Sequence, residues 1–535
     1  MKTMLWDLRW LLVCLIGAAS AGSSTGWSQD APVSPPPVAP AVALSDELRA
    51  VLEAPEFKQA HWGLLAVDLA TGEVLYELNA DKLFAPASTT KLYSVATALA
   101  ELGEDYRFET PVVRRGELSA DGELAGDLIL VASGDFSLGG RTDAEGRIAF
   151  TDADHTYANS SQKTELTRPD PLAGLEELAR QVASTGIKRV RGDVLIDARL
   201  FEPTQSTGSG PSRVTPIVVN DNVIDITVSP STAGSPAYVE WRPVCAAIEV
   251  DAQVTTAPAG KPTEIRVTSA GPDKIVVRGR IAAGRDPLVR VHEVSDPESF
   301  ARSLFIAALE QAGVRVDASR LSSNDASKLP TAAEVKELPQ VALLTSPPFA
   351  ESARLILKVS HNLHASMLPL LVATRHGQRT LADGLRRQHD FLAGAGVSVE
   401  TISFGGGAGG SPADLTTPRA TVELLRYMAT RPDFESYERG LPVLGIDGTL
   451  ASAVDDNSPA RGKVQAKTGT YYWQNLMNGQ YVLTSKALAG YLSAKSGRKL
   501  AFAAVVNGVH LKDTEERNRI GKVLGRICEI LYEAQ

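Results

Sequence analysis

The stretch Ala85-Pro86-Ala87-Ser88-Thr89-Thr90-Lys91-Leu92-Tyr93-Ser94-Val95-Ala96-Thr97-Ala98-Leu99-Ala100 decides the fold. Its second half is an apolar run with helical spacing, which places Ser88 at the start of a helix and Lys91 one turn later on the same face. Ser-x-x-Lys also occurs at 160–163 and 496–499, but neither copy leads into such a run. The setting therefore singles out Ser88 and Lys91.

Two further short motifs follow, Ser360-His361-Asn362 and Lys467-Thr468-Gly469-Thr470. With the first motif they supply the parts of a serine acyl-transfer enzyme that works without a histidine base. Ser88 is expected to be the nucleophile and Lys91 its base, because burial or a nearby positive charge lowers the pKa of a lysine. Lys467 is expected to provide that charge, or to hold a substrate carboxylate.

The remaining motif residues are expected to surround the reacting carbonyl. Ser360 and Asn362 form the opposite wall, with Ser360 relaying a proton to the leaving amine. An oxyanion needs two preorganised donors, and the backbone N–H groups of Ser88 and of Thr470, on an edge strand, are the expected pair.

These motifs resemble those of low-molecular-mass penicillin-binding proteins of the D-alanyl-D-alanine carboxypeptidase/endopeptidase type. The long interval from Lys91 to Ser360 matches the members that carry a large insertion after Ser-x-x-Lys. The segments Gly192–Asp197 and Leu441–Leu450 agree as well. The resemblance covers the chain from about Leu44 to its end.

The resemblance implies an α+β fold with a β-lactamase/transpeptidase-like domain, in which helices flank an antiparallel sheet. This catalytic domain is expected to be discontinuous, over 44–105 and 339–535. A β-rich insertion, expected to form two small domains, occupies 106–338.

The resemblance also implies a function. It predicts a serine carboxypeptidase that acts on peptidoglycan stem peptides through an acyl-enzyme and is acylated by β-lactams, with endopeptidase action on cross-links as a further activity. Ser88, Lys91, Ser360 and Asn362 are the expected catalytic residues, and Lys467, Thr468, Gly469 and Thr470 the expected substrate-binding residues. No metal ion or organic cofactor is implied. A β-lactamase or esterase on the same scaffold and a non-catalytic cell-wall binder are the alternatives.

The chain departs from the family pattern at several places. His361 replaces an aspartate in the second motif, Gly406–Ser411 replaces the loop Asp-Gly-Ser-Gly-Leu-Ser, and Gly134–Phe136 replaces a Gly-Asp-Pro turn. The segment Tyr471–Tyr481 is inserted after the third motif, either as a hairpin extension or as a wall of the cleft. These departures bear on substrate preference and deacylation.

Composition sets broad limits. The 535 residues exceed what one core holds, and the formal charge of −9 argues against a nucleic-acid surface. Residues 1–21 are typical of a secretory signal peptide and 22–43 of a Pro- and Ala-rich tether, which predicts a periplasmic or envelope location. The sequence does not indicate an oligomeric state.

Two residue pairs invite other interpretations. Cys245 and Cys528 cannot be paired from sequence alone, and Cys528 is expected to pack as a small hydrophobic residue. His361 and His364 have a spacing that suits a metal site, but no third ligand cluster accompanies them in the sequence. They are expected to be exposed polar residues of a turn.

Overall fold

The computed structural model describes residues 44–535, so the predicted signal peptide and tether lie outside the described residues. Both helices and strands occur along this part of the chain. The helices are α1 Asp46–Leu52, α2 Thr90–Leu102, α3 Ala173–Ser184, α4 Pro297–Gln311, α5 Ala332–Glu337, α6 Phe349–Lys358, α7 Asn362–Arg375, α8 Leu381–Gly394, α9 Pro418–Met428, α10 Phe434–Gly440 and α11 Thr514–Ala534.

Most strands lie in the middle of the chain and near its C-terminus. The strands are β1 His61–Asp68, β2 Val74–Leu78, β3 Glu109–Leu118, β4 Glu123–Val131, β5 Arg189–Val190, β6 Val194–Asp197, β7 Thr204–Gln205, β8 Arg213–Val214, β9 Val223–Ser229, β10 Tyr238–Arg242, β11 Glu249–Ala257, β12 Glu264–Ser269, β13 Lys274–Ala282, β14 Leu288–Glu293, β15 Arg315–Val316, β16 Gln340–Thr345, β17 Val464–Gln474, β18 Tyr481–Ser493, β19 Lys499–Asn507 and β20 Val509–Leu511.

One antiparallel sheet joins the two ends of the described chain. Its strand order is β17-β18-β19-β1-β2, with β20 beside β18, and β1 pairs with β19 along its whole length. Two hydrophobic clusters cover it, one containing Leu92 and Leu99 of α2, the other containing Leu524 of α11. This arrangement confirms the predicted α+β class with helices flanking an antiparallel sheet.

The β-rich region between the first two motifs forms sheets of its own. One has the order β15-β5-β4-β3-β16 with β6 beside β4, and two three-stranded sheets have the orders β10-β9-β14 and β11-β13-β12. A separate hydrophobic cluster lies in this region, with Leu128, Leu178 and Phe305 among its members. We propose that it is the predicted insertion; β16 pairs with β3, so its sheet extends to Thr345.

Further details of the described part of the chain bear on sequence predictions. Cys245 and Cys528 are buried free thiols in different hydrophobic clusters, so Cys528 packs as predicted. No helix between residues 44 and 535 has the length and apolar character needed to cross a bilayer.

Candidate active site

Ser88 lies in a tight turn that leads directly into α2. A short 3-10 helix, Ala87–Thr89, precedes the helix, and Ala87 adopts a left-handed backbone conformation with φ of 48°. Residues 90–99 of α2 are all buried, which fixes the direction of its first turn. The predicted positions of Ser88 at a helix start and Lys91 one turn later are confirmed.

The amine of Lys91 contacts the Ser88 hydroxyl and two hydrogen-bond acceptors. Its Nζ atom lies 3.0 Å from Ser88 Oγ, 2.7 Å from Asn362 Oδ1 and 2.7 Å from the carbonyl oxygen of Ala408. A neutral amine has two hydrogens and one lone pair. When two hydrogens are donated to Asn362 and Ala408, the lone pair is left to accept the hydroxyl hydrogen of Ser88.

The electrostatic setting favours this neutral form. Lys91 is completely buried, and burial together with the positive charge of Lys467 holds its pKa well below the usual value for a lysine. Burial, with a further contribution from Lys486, lowers the pKa of Lys467 to about 7. The role of Lys467, as a charge that acts on Lys91 or as a partner of a substrate carboxylate, stays a prediction.

The altered glycine loop holds Lys91 through its backbone. Because the bond to Lys91 uses the Ala408 carbonyl, the changed side chains of the loop leave this contact intact. Asp414 closes the loop by accepting hydrogen bonds from the N–H groups of Gly405 and Ser411, both at 2.8 Å. Gly409 has φ of 87°, and a Cβ there would lie 2.0 Å from the carbonyl oxygen of Ala87. Only glycine lets the loop pass so close to the nucleophile turn.

The second motif forms the junction between α6 and α7. Ser360 has a left-handed backbone with φ of 63°, and its carbonyl accepts a hydrogen bond from the Tyr157 hydroxyl. Asn362 begins α7 and donates from Nδ2 to the carbonyl of Ser209 at 2.9 Å. Asn362 thus contacts both Lys91 and the inserted region, whereas the relay role of Ser360 stays a prediction.

The third motif lies on β17, the edge strand of the catalytic sheet, as predicted. Lys467 is buried, and Thr470 Oγ1 accepts a hydrogen bond of 2.9 Å from Lys486 on the neighbouring strand. The hydroxyl of Thr468 instead donates to Thr449. A Cβ at Gly469 would lie 2.5 Å from the Pro86 carbonyl, so the strand packs against the nucleophile turn.

These elements enclose a cleft of about 550 Å³. Ser88, Asn362 and Thr470 line it, together with Tyr157, Ser209 and Lys486. Tyr471 and Tyr472 also line the cleft, while β17 and β18 continue beyond it as a hairpin. Both interpretations of the Tyr471–Tyr481 segment therefore hold, since its base forms a wall and its tip is an extension.

His361 and His364 are not exposed, which corrects the expectation from sequence. Both side chains are fully buried, and their rings stack with a centroid separation of 3.6 Å. The expectation that no third ligand group accompanies them is also wrong, because Asp221 lies beside both. Arg141 and His155 donate to the other oxygen of this carboxylate, so within the described residues Asp221 is part of an ion cluster. The tertiary fold brings Asp221 there across 140 residues, which no local signal in the sequence could show.

Other residues of the site escaped prediction for a related reason. Tyr157, Ser209 and Lys486 lie far from the motifs or outside their spacing, and they reach the cleft only through the fold. Lys486 could not be found by counting register across the hairpin of β17 and β18. Counting back from the Gln474–Tyr481 pair would place Ser485 opposite Thr470, and the β-bulge between Tyr471 and Tyr472 brings Lys486 there instead.

Comparison with known proteins gives relatives along most of the chain. A D-alanyl-D-alanine carboxypeptidase of Actinomadura sp. (strain R39) is 28% identical over 487 residues, covering 87% of this chain and 81% of that protein. The D-alanyl-D-alanine carboxypeptidase DacB of Haemophilus influenzae is 23% identical over 478 residues, covering 85% and 87% respectively.

A solved structure supports the fold. The crystal structure of penicillin-binding protein 4 from Haemophilus influenzae superposes with a TM-score of 0.67 at 19% identity, covering 92% of this chain and 100% of that one. The family model described as D-Ala-D-Ala carboxypeptidase 3 (S13) matches residues 44–526. The match spans nearly the whole described chain and includes all three motifs, and the chain therefore belongs to the D-Ala-D-Ala carboxypeptidase 3 (S13) family.

Proposed function

We propose that the protein is a serine D-alanyl-D-alanine carboxypeptidase that acts on peptidoglycan stem peptides. The observation that carries the proposal is the position of the buried Lys91 amine, 3.0 Å from Ser88 Oγ and with a lowered pKa. A serine hydroxyl is a weak nucleophile until a neighbouring base accepts its proton, and here the base is held by Asn362 and Ala408.

The acylation step follows from these positions. Ser88 Oγ attacks the carbonyl carbon of the penultimate D-alanine, and its proton passes to Lys91 Nζ. The backbone N–H groups of Ser88 and Thr470, two residues of the cleft wall, stabilise the oxyanion. The carbon–nitrogen bond then breaks, and the leaving amine of the terminal D-alanine takes the proton back, directly or through Ser360.

Deacylation completes the reaction. Water attacks the carbonyl carbon of the Ser88 ester and its proton passes to the base. The bond from that carbon to Ser88 Oγ then breaks, the base returns the proton to Oγ, and the shortened stem peptide leaves with a new carboxylate. With an amine of a second stem as acceptor, the same ester gives transpeptidation. A β-lactam acylates Ser88 by ring opening and leaves no separate amine to depart. The proposed steps use only side chains and backbone groups of the chain.

Cationic and hydroxyl groups at one end of the cleft suit the free carboxylate of the substrate. Thr470 Oγ1 and Lys486 Nζ are hydrogen-bonded to each other at the cleft wall, and Lys467 lies on the same strand as Thr470. In a stem peptide the residue on the amine side of the scissile bond is a terminal D-alanine, which carries its carboxylate next to that bond. In a cross-link the amine side is a longer side chain of a second stem. We therefore propose carboxypeptidase action first, with endopeptidase action on cross-links as a second activity of the same site.

The predicted signal peptide and the proposed substrate both point to a location outside the cytoplasmic membrane. Peptidoglycan lies outside the cytoplasmic membrane, and residues 1–21 are typical of a segment that directs export. We propose that the mature protein works in the periplasm or cell envelope.

The experiment that tests the function is intact-protein mass spectrometry after incubation with benzylpenicillin. We expect a stable mass increase equal to the whole antibiotic, present in the wild-type protein and absent from Ser88→Ala. Destruction of the drug without an adduct would identify a β-lactamase. An untouched drug and no adduct would identify a non-catalytic binder.

A further inference from the structure

A buried ionic cluster lies directly beneath the second motif. Three carboxylates, Asp154, Asp221 and Asp225, meet Arg141 and His155, and each of these five side chains is 8% exposed or less. Arg242 completes the cluster by donating to Asp225 at 3.1 Å. All six residues belong to the inserted region. Their three carboxylates face three cationic side chains, and the cluster lies next to the catalytic domain.

Asp221 is the cluster member that hydrogen-bonds to the motif helix, while Asp154 Oδ1 lies 3.9 Å from His361 Nε2. The Oδ2 atom of Asp221 accepts hydrogen bonds from Arg141 and from His155, and its Oδ1 atom accepts one from His364 Nε2 at 2.6 Å. His361 Nε2 lies 3.4 Å from the same Oδ1 atom. His361 Nδ1 accepts the N–H of His364 at 3.4 Å, and Nε2 of His361 faces Asp221 as a buried atom without a hydrogen-bond partner among the described residues.

The segment that contains Asp221 and the turn that contains Ser360 both have left-handed backbone conformations. Ser360, next to His361, has φ of 63°, and Asp221 has φ of 52° between Asn220 and Asn222, which are also left-handed. Such conformations cost free energy in residues other than glycine and persist where the surroundings hold them. The two strained segments face each other across the boundary between the inserted region and the catalytic domain.

We propose that Asp221 is a positioning residue, which holds the Ser360–Asn362 turn in its working geometry through His361 and His364. This inference rests on the proposed function, because that turn places Asn362 on Lys91.

The first test compares two buried carboxylates of the same cluster. In Asp221→Asn the amide has only one oxygen, so its NH₂ group must face an N–H donor on one side or the other. Asp225 pairs with His155 and Arg242, and in the part of the chain that the structure describes it does not bond to the motif helix, which makes Asp225→Asn the matched control. We measure the acylation rate constant and the binding constant for benzylpenicillin separately, together with the melting temperature.

For Asp221→Asn we expect the acylation rate constant to fall about 10- to 100-fold with little change in binding, as for a misplaced catalytic group. For Asp225→Asn we expect a similar loss of melting temperature and an acylation rate within about threefold of wild type. Equal effects of both substitutions on acylation, or none from Asp221→Asn, would overturn the proposal.

A second variant keeps the inference testable if Asp221→Asn folds poorly. His361→Asp places two carboxylates against each other and should lower acylation at least as much. Adding Asp221→Asn removes one of the two charges, and acylation should recover to within about tenfold of wild type. Failure of the second substitution to restore acylation contradicts a direct coupling between the two positions.

A crystal structure of Asp221→Asn separates this inference from the proposed function, since it does not depend on activity. We expect Ser360 to leave the left-handed region and Asn362 Oδ1 to move beyond hydrogen-bond distance of Lys91 Nζ. An unchanged turn would overturn the positioning role. Failure of the wild-type protein to react with benzylpenicillin would instead count against the proposed function alone.

Discussion

Lys91 and Asn362 form a buried hydrogen bond of 2.7 Å between residues 271 positions apart in the chain. This bond joins the base of the first motif to the wall formed by the second, and it exists only because the inserted region returns the chain to α2. Because Asn362 also bonds to Ser209 of that region, the nucleophile, its base and the insertion form one connected network.

The role of Lys91 can be tested by removing its amine. In Lys91→Met we expect acylation of Ser88 by benzylpenicillin to fall by about 10²- to 10⁴-fold, the range of a lost general base. Thr97→Val is the matched control, because Thr97 is a buried polar residue of the same helix whose hydroxyl, within residues 44–535, bonds only to the Tyr93 carbonyl. Stopped-flow acylation kinetics give both rates. An acylation rate in Lys91→Met within tenfold of wild type would exclude Lys91 as the base.

The contribution of Lys486 appears in the pH dependence of acylation. The charge of Lys486 helps to lower the pKa of Lys467 to about 7, so protonated Lys467 is lost as the pH rises through that value. We expect the rate of acylation to decline at alkaline pH, as Lys467 loses its proton. In Lys486→Met the pKa of Lys467 should rise, and this decline should therefore move to higher pH. We also expect the substitution to weaken the binding of substrates with a free terminal carboxylate. Binding of the corresponding amides should change less.

The control for this variant is Lys499→Met. Lys499 lies on β19 of the same sheet but pairs with Glu438, away from the cleft-lining residues. Its pH profile should match that of the wild type. If the alkaline decline stays in place in Lys486→Met, another group controls it.

The parts predicted from sequence are those with local signals. The Ser88–Lys91 spacing, the apolar run behind it and the hairpin of β1 and β2 each follow from periodicity within a few residues. His361 and His364 were wrongly expected to be exposed, because polar residues after a helix usually face water. Their burial depends on Asp221, Arg141 and His155, whose approach is fixed by tertiary packing of the insertion.

The same limit applies to the glycine loop. Its sequence shows a lost hydroxyl and a lost carboxylate, which suggests a weakened site. The structure shows that Lys91 bonds to the Ala408 carbonyl, a group that every residue carries. A sequence motif records side chains, so contacts made by the backbone remain hidden until the fold is known.

The close approach of the loop to the nucleophile predicts a large effect of Gly409→Ala. The new methyl group needs both a positive φ and space occupied by the Ala87 carbonyl, one residue before Ser88. We expect a loss of about 3 kcal/mol or more in the free energy of unfolding, together with slow acylation. Gly377→Ala is the control, since Gly377 has φ of 70° but open space around its Cβ position. Backbone strain alone should cost it about 1–2 kcal/mol and leave acylation unchanged. Equal losses in both variants would show that the contact with Ala87 is unimportant.

The charge of His155 predicts a pH dependence of stability. Burial alone lowers the pKa of His155, but Asp225 and Asp154 outweigh it and raise the pKa from 6.5 to about 10. The resulting stabilisation is complete below pH 6.5, where the folded and unfolded chains both bind the proton, and it is lost as the pH rises toward 10. The free energy of unfolding should therefore fall by up to about 1.4 kcal/mol per pH unit between about pH 7 and 9. Urea denaturation of the wild type and of His155→Gln across this range measures the slope. The slope should be smaller in His155→Gln, whose side chain does not titrate, and equal slopes would mean that His155 is not charged in the folded protein.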